Sequence, residues 1–140
     1  IQIVGVYLLV VATASVLAFS NQADAVQNNS EVKNNNKKTY EYVAQEGDSY
    51  TKIVRKAVQT YGINNKKDIG KARIVAIETK LTESAGWPLL EIGQKVKLEE
   101  DIIAKAIENA MKLNDKDLSA WQTYVPFVDF YTNNVGESKK

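Results

Sequence analysis

Two different hydrophobic patterns divide the chain. From Ile1 to Ala23 no residue is charged, and residues 3–19 (IVGVYLLVVATASVLAF) are almost wholly apolar, close to the roughly 20 residues a bilayer-spanning helix needs. This stretch predicts a helix that enters or passes through a membrane. Ala23-Asp24-Ala25 follows it with the small-x-small pattern of a signal-peptidase site, so residues 1–25 read as a cleaved signal peptide or a retained anchor. Residues 26–38 (VQNNSEVKNNNKK) carry five Asn and three Lys. Such a composition buries too little apolar area to offset chain ordering and predicts a flexible linker.

Beyond the linker the apolar positions become periodic. Tyr40, Tyr42 and Ala44 alternate with Thr39, Glu41, Val43 and Gln45, a short strand closed by the turn Glu46-Gly47-Asp48. Ser49 then caps a helix in which Tyr50, Ile53, Val54, Ala57, Val58 and Tyr61 share one face, with Gly62 as its stop. A second helix is predicted from about Asp68 to Leu81, with Ile74, Ile77 and Leu81 on one stripe and Ala72 and Ala76 beside it. Gly86-Trp87-Pro88 interrupts it, Leu89–Gly93 forms a loop, and residues 94–98 (QKVKL) alternate as a second strand. Two strands alone are marginal, so they should pair antiparallel and bury one face under both helices.

A third helix is expected after Glu99-Glu100-Asp101, whose carboxylates suit a helix start, with Ile102, Ile103, Ala106, Ile107, Ala110 and Met111 forming a helical stripe. A last helix after Asn114-Asp115 aligns Leu118, Trp121, Val125 and Val128, and Pro126 should kink or divide it. Together they predict a C-terminal helical hairpin over 100–132, and the polar residues 133–140 should fray as a tail. The fold class is α+β: a βααβ domain over 39–99 with this hairpin behind it.

Composition removes whole classes of chemistry. With no Cys and no His, disulfides, thiolate zinc sites, Cys nucleophiles, imidazole bases and Ser-His-Asp triads are all excluded. Eighteen Lys plus Arg against seventeen Asp plus Glu leave a charge of +1, too little for a cationic field that wraps nucleic acid. Glycoside hydrolysis needs one carboxyl in an apolar pocket and a second across a cleft, and nothing in the sequence suggests either. We therefore expect a non-enzymatic protein with no cofactor, no metal and no nucleic-acid partner.

Residues 42–50 (YVAQEGDSY) followed by Ile53 resemble the opening of a LysM domain, and residues 90–98 (LEIGQKVKL) resemble its close. The likeness spans about residues 39–99, with the two motifs in the required order on either side of two helices. LysM modules are βααβ folds that bind N-acetylglucosamine polymers, chiefly peptidoglycan and chitin, between the loop after strand one and the loop before strand two. Position by position, the resemblance implies one groove wall of Gly47, Asp48, Ser49 and Tyr50 and a second of Leu89, Leu90, Glu91 and Ile92. Turn amides can hydrogen-bond an acetamido carbonyl while Leu and Tyr faces cover the sugar. The same residues also have structural duties open to them: Gly47 in a turn, Asp48 or Ser49 capping a helix, Leu90 and Ile92 packing inward. The expected function is an extracytoplasmic, exported or membrane-tethered, cell-wall glycan-binding protein. The alternative is an envelope scaffold that keeps the fold for a protein partner and docks it through Trp121, Phe127, Phe130 and Tyr131.

Overall fold

The computed structural model describes residues 37–137, a unit that begins at Lys37. The apolar segment, its cleavage motif and most of the linker lie outside the described residues. Among the described residues no helix is long and apolar enough to cross a membrane. The described residues are α+β, with four helices and one two-stranded antiparallel sheet. In chain order it runs β1 (Thr39–Val43), α1 (Tyr50–Asn64), α2 (Lys71–Ser84), β2 (Lys95–Glu99), α3 (Glu100–Met111) and α4 (Asp115–Gln122), then a 3-10 turn at Val125–Phe127.

The strands pair with Tyr40 opposite Leu98 and Tyr42 opposite Val96. These four side chains face inward and are buried, as alternation at period two demands. Between them Glu41 faces Lys97 on the solvent side, where the two form an exposed ion pair at 3.1 Å. Beneath the sheet, Ile53, Val54, Ala57 and Val58 of α1 meet Ile74 and Ile77 of α2 and Ile103 and Ile107 of α3 in one core. Ser49 caps α1 by accepting from the Lys52 amide at 3.2 Å, worth about 1 kcal/mol. The last linker residues are tied down too: Lys38 O accepts from the Glu100 amide at 2.9 Å, and Lys38 Nζ lies 2.9 Å from Glu100.

Several sequence expectations are corrected. Gly62 does not stop α1, which runs on to Asn64. A Cβ there would sit 3.0 Å from Lys67 O and 3.1 Å from Ile69 Cδ1, so Gly62 is needed for the close approach of the α1–α2 loop. The second helix starts and ends three residues later than expected, at Lys71 and Ser84, with Gly70 at φ 82° leading into it. The last helix ends at Gln122, and Pro126 sits in the separate 3-10 turn. Val125 and Val128 therefore do not continue the stripe of Leu118 and Trp121.

The largest correction concerns the C-terminus. Residues 133–137, expected to fray, belong to a strap that returns from the 3-10 turn to α1 and β1. Arg55 Nη1 donates to Asp129 O at 2.7 Å, Gln59 Nε2 to Phe130 O at 2.9 Å, and Lys56 Nζ to Val135 O at 2.5 Å. Val43 donates its amide to Gly136 O at 3.1 Å. Val135 and Gly136 are buried, and Gly136 lies so close to Tyr42 that a Cβ would come within 2.8 Å of the tyrosine Cβ.

Candidate functional site

The loop after β1 is a tight turn. Asp48 donates its amide to Gln45 O at 3.0 Å while its Oδ2 accepts from the Gln45 amide at 2.8 Å. Gly47 adopts φ 84°, and its carbonyl accepts from Lys52 Nζ at 2.9 Å. Asp48 Oδ2 also accepts from the Gly136 amide at 2.8 Å. This carboxylate, expected as part of a groove wall, thus joins its own turn to the C-terminal strap. Its side chain is a positioning group for the loop, while Gly47 and Ser49 are exposed and Tyr50 is half-buried. Burial raises the Tyr50 phenol above its ordinary value, so the ring enters the site as a neutral hydroxyl-bearing face.

The loop before β2 is built from turn geometry as well. Gly86 and Trp87 adopt φ 79° and 54°, and Trp87 donates its amide to Thr82 O at 3.0 Å. The Glu91 amide donates to Gln94 Oε1 at 3.0 Å and the Gln94 amide to Glu91 O at 3.0 Å. Leu89 is 94% exposed, Ile92 74% and Trp87 59%. Leu90 packs against the core and Glu91 is exposed. The inward-packing option therefore applies to Leu90 and fails for Ile92.

The two loops lie at one end of the sheet. Ala44, just before the first loop, accepts at its carbonyl from the Gly93 amide at 2.7 Å and donates to Gln94 O at 2.9 Å. Thr51 at the start of α1 meets Thr82 near the end of α2 with 3.1 Å between hydroxyl oxygens. Helix geometry leaves the amides of Tyr50 and Thr51 without intrahelical acceptors at this same end. The loops thus offer main-chain donors on one side and three exposed apolar side chains on the other. Among the described residues no group of three or more Asp or Glu side chains is placed to hold a metal ion.

The Gly-Trp-Pro break in the sequence predicts only an interruption of the helix; in the structure Trp87, like Leu89 and Ile92, is an exposed apolar residue of the α2–β2 loop. The C-terminal aromatics divide. Phe130 packs on the core with the Arg55 guanidinium 5.9 Å and the Lys71 ammonium 5.4 Å from its ring centre, whereas Tyr131 and Phe127 are exposed and Trp121 is half-buried. No family model matches the chain, and no curated protein or solved structure matches it.

Proposed function

We propose that this chain is a non-catalytic glycan-binding module of the LysM type, exported or tethered through its N-terminal apolar segment, that holds peptidoglycan or another N-acetylglucosamine polymer between residues 47–50 and 89–92. The observation that carries the reading is the pairing of Ala44 with Gly93 and Gln94, which draws both loops of the resemblance to one end of the sheet. The exposed faces of Trp87, Leu89 and Ile92 suit stacking against pyranose rings and acetamido methyls, and the first amides of α1 suit the acetamido carbonyl. The βααβ order and antiparallel pairing agree with the same family. Asp48 serves the site through the turn it fixes rather than by touching sugar.

The test is co-sedimentation of the full chain with insoluble peptidoglycan and chitin, with cellulose as the polymer that lacks acetamido groups. Saturable pelleting on the first two and not on cellulose is expected. Loss of pelleting by folded protein on all three would favour the envelope-scaffold reading, for which Phe127, 88% exposed, marks the place to seek a protein partner.

A further inference from the structure

A cleft of about 470 Å³ opens between the C-terminal half of α1, the α1–α2 loop and the strap, within the roughly 300–1,000 Å³ typical of small-molecule sites. Its residues are distinct from those of the loops after β1 and before β2. Both walls are fixed before any ligand arrives. On one side the Lys67 amide donates to Gly62 O at 2.8 Å, across the contact that only a glycine at 62 permits. On the other, Gln59 holds the strap at Phe130 O and accepts from the Thr132 hydroxyl. Ile69, Ile74 and Phe130 provide apolar surface, and the exposed ring of Tyr131 stands beside them.

The charge is one-sided. Among the described residues, Lys56, Lys67 and Lys71 line the cleft against a single carboxylate, Asp68. Lys56 is spent on the strap, through Val135 O and an ion pair with Glu137 at 3.2 Å. Among the described residues Lys67 and Lys71 form no salt bridge, and the Lys71 ammonium is held over the Phe130 ring. An ammonium poised on an aromatic wall, with a second one nearby, would be completed by an anion whose apolar body lies along that wall.

We infer that this cleft is a binding site for a small soluble organic anion, a phosphate or carboxylate carried on a flat apolar body. The inference does not depend on glycan binding. It is tested by titrating the full chain with phenyl phosphate and following backbone amide resonances, with inorganic phosphate and benzyl alcohol as probes of each half of the chemistry. Saturable shifts at Gly70, Lys71 and Thr132 are expected with phenyl phosphate, at least tenfold tighter than with either half-probe. Lys67→Glu with Lys71→Glu should weaken binding by about tenfold or more, and Lys67→Arg with Lys71→Arg should largely retain it. Equal affinity for inorganic phosphate, shifts confined to other residues, or indifference to charge reversal would overturn the inference. So would capture by vesicles of phosphatidylcholine containing phosphatidic acid with no response to phenyl phosphate, since that would make the partner a lipid surface.

Discussion

Arg55 of α1 and Glu78 of α2 form a doubly bonded ion pair in the interior, with Nε to Oε2 and Nη2 to Oε1 both at 2.6 Å and side chains only 8% and 3% exposed. The third guanidinium contact, to Asp129 O, extends the pair to the strap. One residue pair therefore joins both central helices to the C-terminal return. Removing either partner leaves a buried charge uncompensated, so Arg55→Met and Glu78→Leu should each destabilise by about 3–5 kcal/mol. The double variant replaces the pair with packed apolar groups and should lose much less than the sum of the two. Denaturant unfolding of all four proteins measures this, and simple additivity would show that the pair is not coupled.

Two glutamates should titrate on opposite sides of the ordinary value. Burial pushes the Glu78 carboxyl up, against the opposing pull of Arg55. A carboxyl raised on folding stabilises the fold fully below its unfolded value, and that contribution is lost as pH rises through the folded value. At Glu100 the hydrogen bond from Lys38 comes first and holds the carboxyl down. Its contribution is present above the unfolded value and is lost as pH falls through the folded one. Carboxyl carbon shifts followed against pH should place the Glu78 midpoint above the ordinary glutamate value and the Glu100 midpoint below it. Lys38→Met should raise the Glu100 midpoint and leave Glu78 unmoved; the reverse order of midpoints would contradict both assignments.

Gly136 and Gly86 share positive φ, 66° and 79°, but differ in space. A Cβ at Gly136 would lie 2.8 Å from Tyr42 Cβ, whereas one at Gly86 meets nothing within 4 Å. Gly86→Ala should cost about 1–2 kcal/mol from backbone strain alone. Gly136→Ala adds the clash with a strand side chain and should cost about 1–3 kcal/mol more, with faster hydrogen exchange at the Val43 amide as the strap lifts. Equal losses of stability in the two variants would mean that the strap does not press on β1.

These contacts explain which parts of the fold the sequence disclosed. Tyr40, Tyr42, Val96 and Leu98 alternate because one sheet face is buried, and Ile53 to Val58 repeat at helical spacing because α1 presents a stripe to the core; burial of apolar area leaves its mark on residue type. The strap leaves no such mark. Beside the packing of Phe130 and Val135 on the core, the Thr132 hydroxyl on Gln59, the Gly136 amide on Asp48 and the Glu137 ion pair, it attaches through main-chain carbonyls at Asp129, Phe130 and Val135, and every residue has a carbonyl. Gly62 was ambiguous for a related reason, since a glycine demanded by a neighbouring backbone and one that ends a helix are the same letter. Glu78 is absent from the sequence expectations, although its place four residues after Ile74 on the same helix face carries a signal, since a charge there calls for a buried partner. At the loops, the motif residues could be named from sequence, and the Gln45 contact of Asp48 is local to its own turn, but its contact with Gly136 follows only from the return of the strap.

That occupation separates two kinds of variant at the proposed glycan site. Leu89 and Ile92 are exposed and do not belong to the buried core, so Leu89→Ala with Ile92→Ala should leave stability within about 0.5 kcal/mol of the parent. The same variant should lower peptidoglycan pelleting several-fold, because the lost apolar faces are those offered to the sugar. Asp48→Ala removes the acceptor for both the Gln45 and Gly136 amides, and should cost about 1–3 kcal/mol while weakening pelleting only as far as the turn loosens. Asp48→Asn retains an acceptor oxygen and should recover part of both losses. Thermal unfolding and pelleting measured on the same preparations distinguish the cases. If Asp48→Ala abolished pelleting at unchanged stability, the carboxylate would be a direct ligand group and the strap contact incidental; if Leu89→Ala with Ile92→Ala pelleted like the parent, the sugar would not lie on this loop.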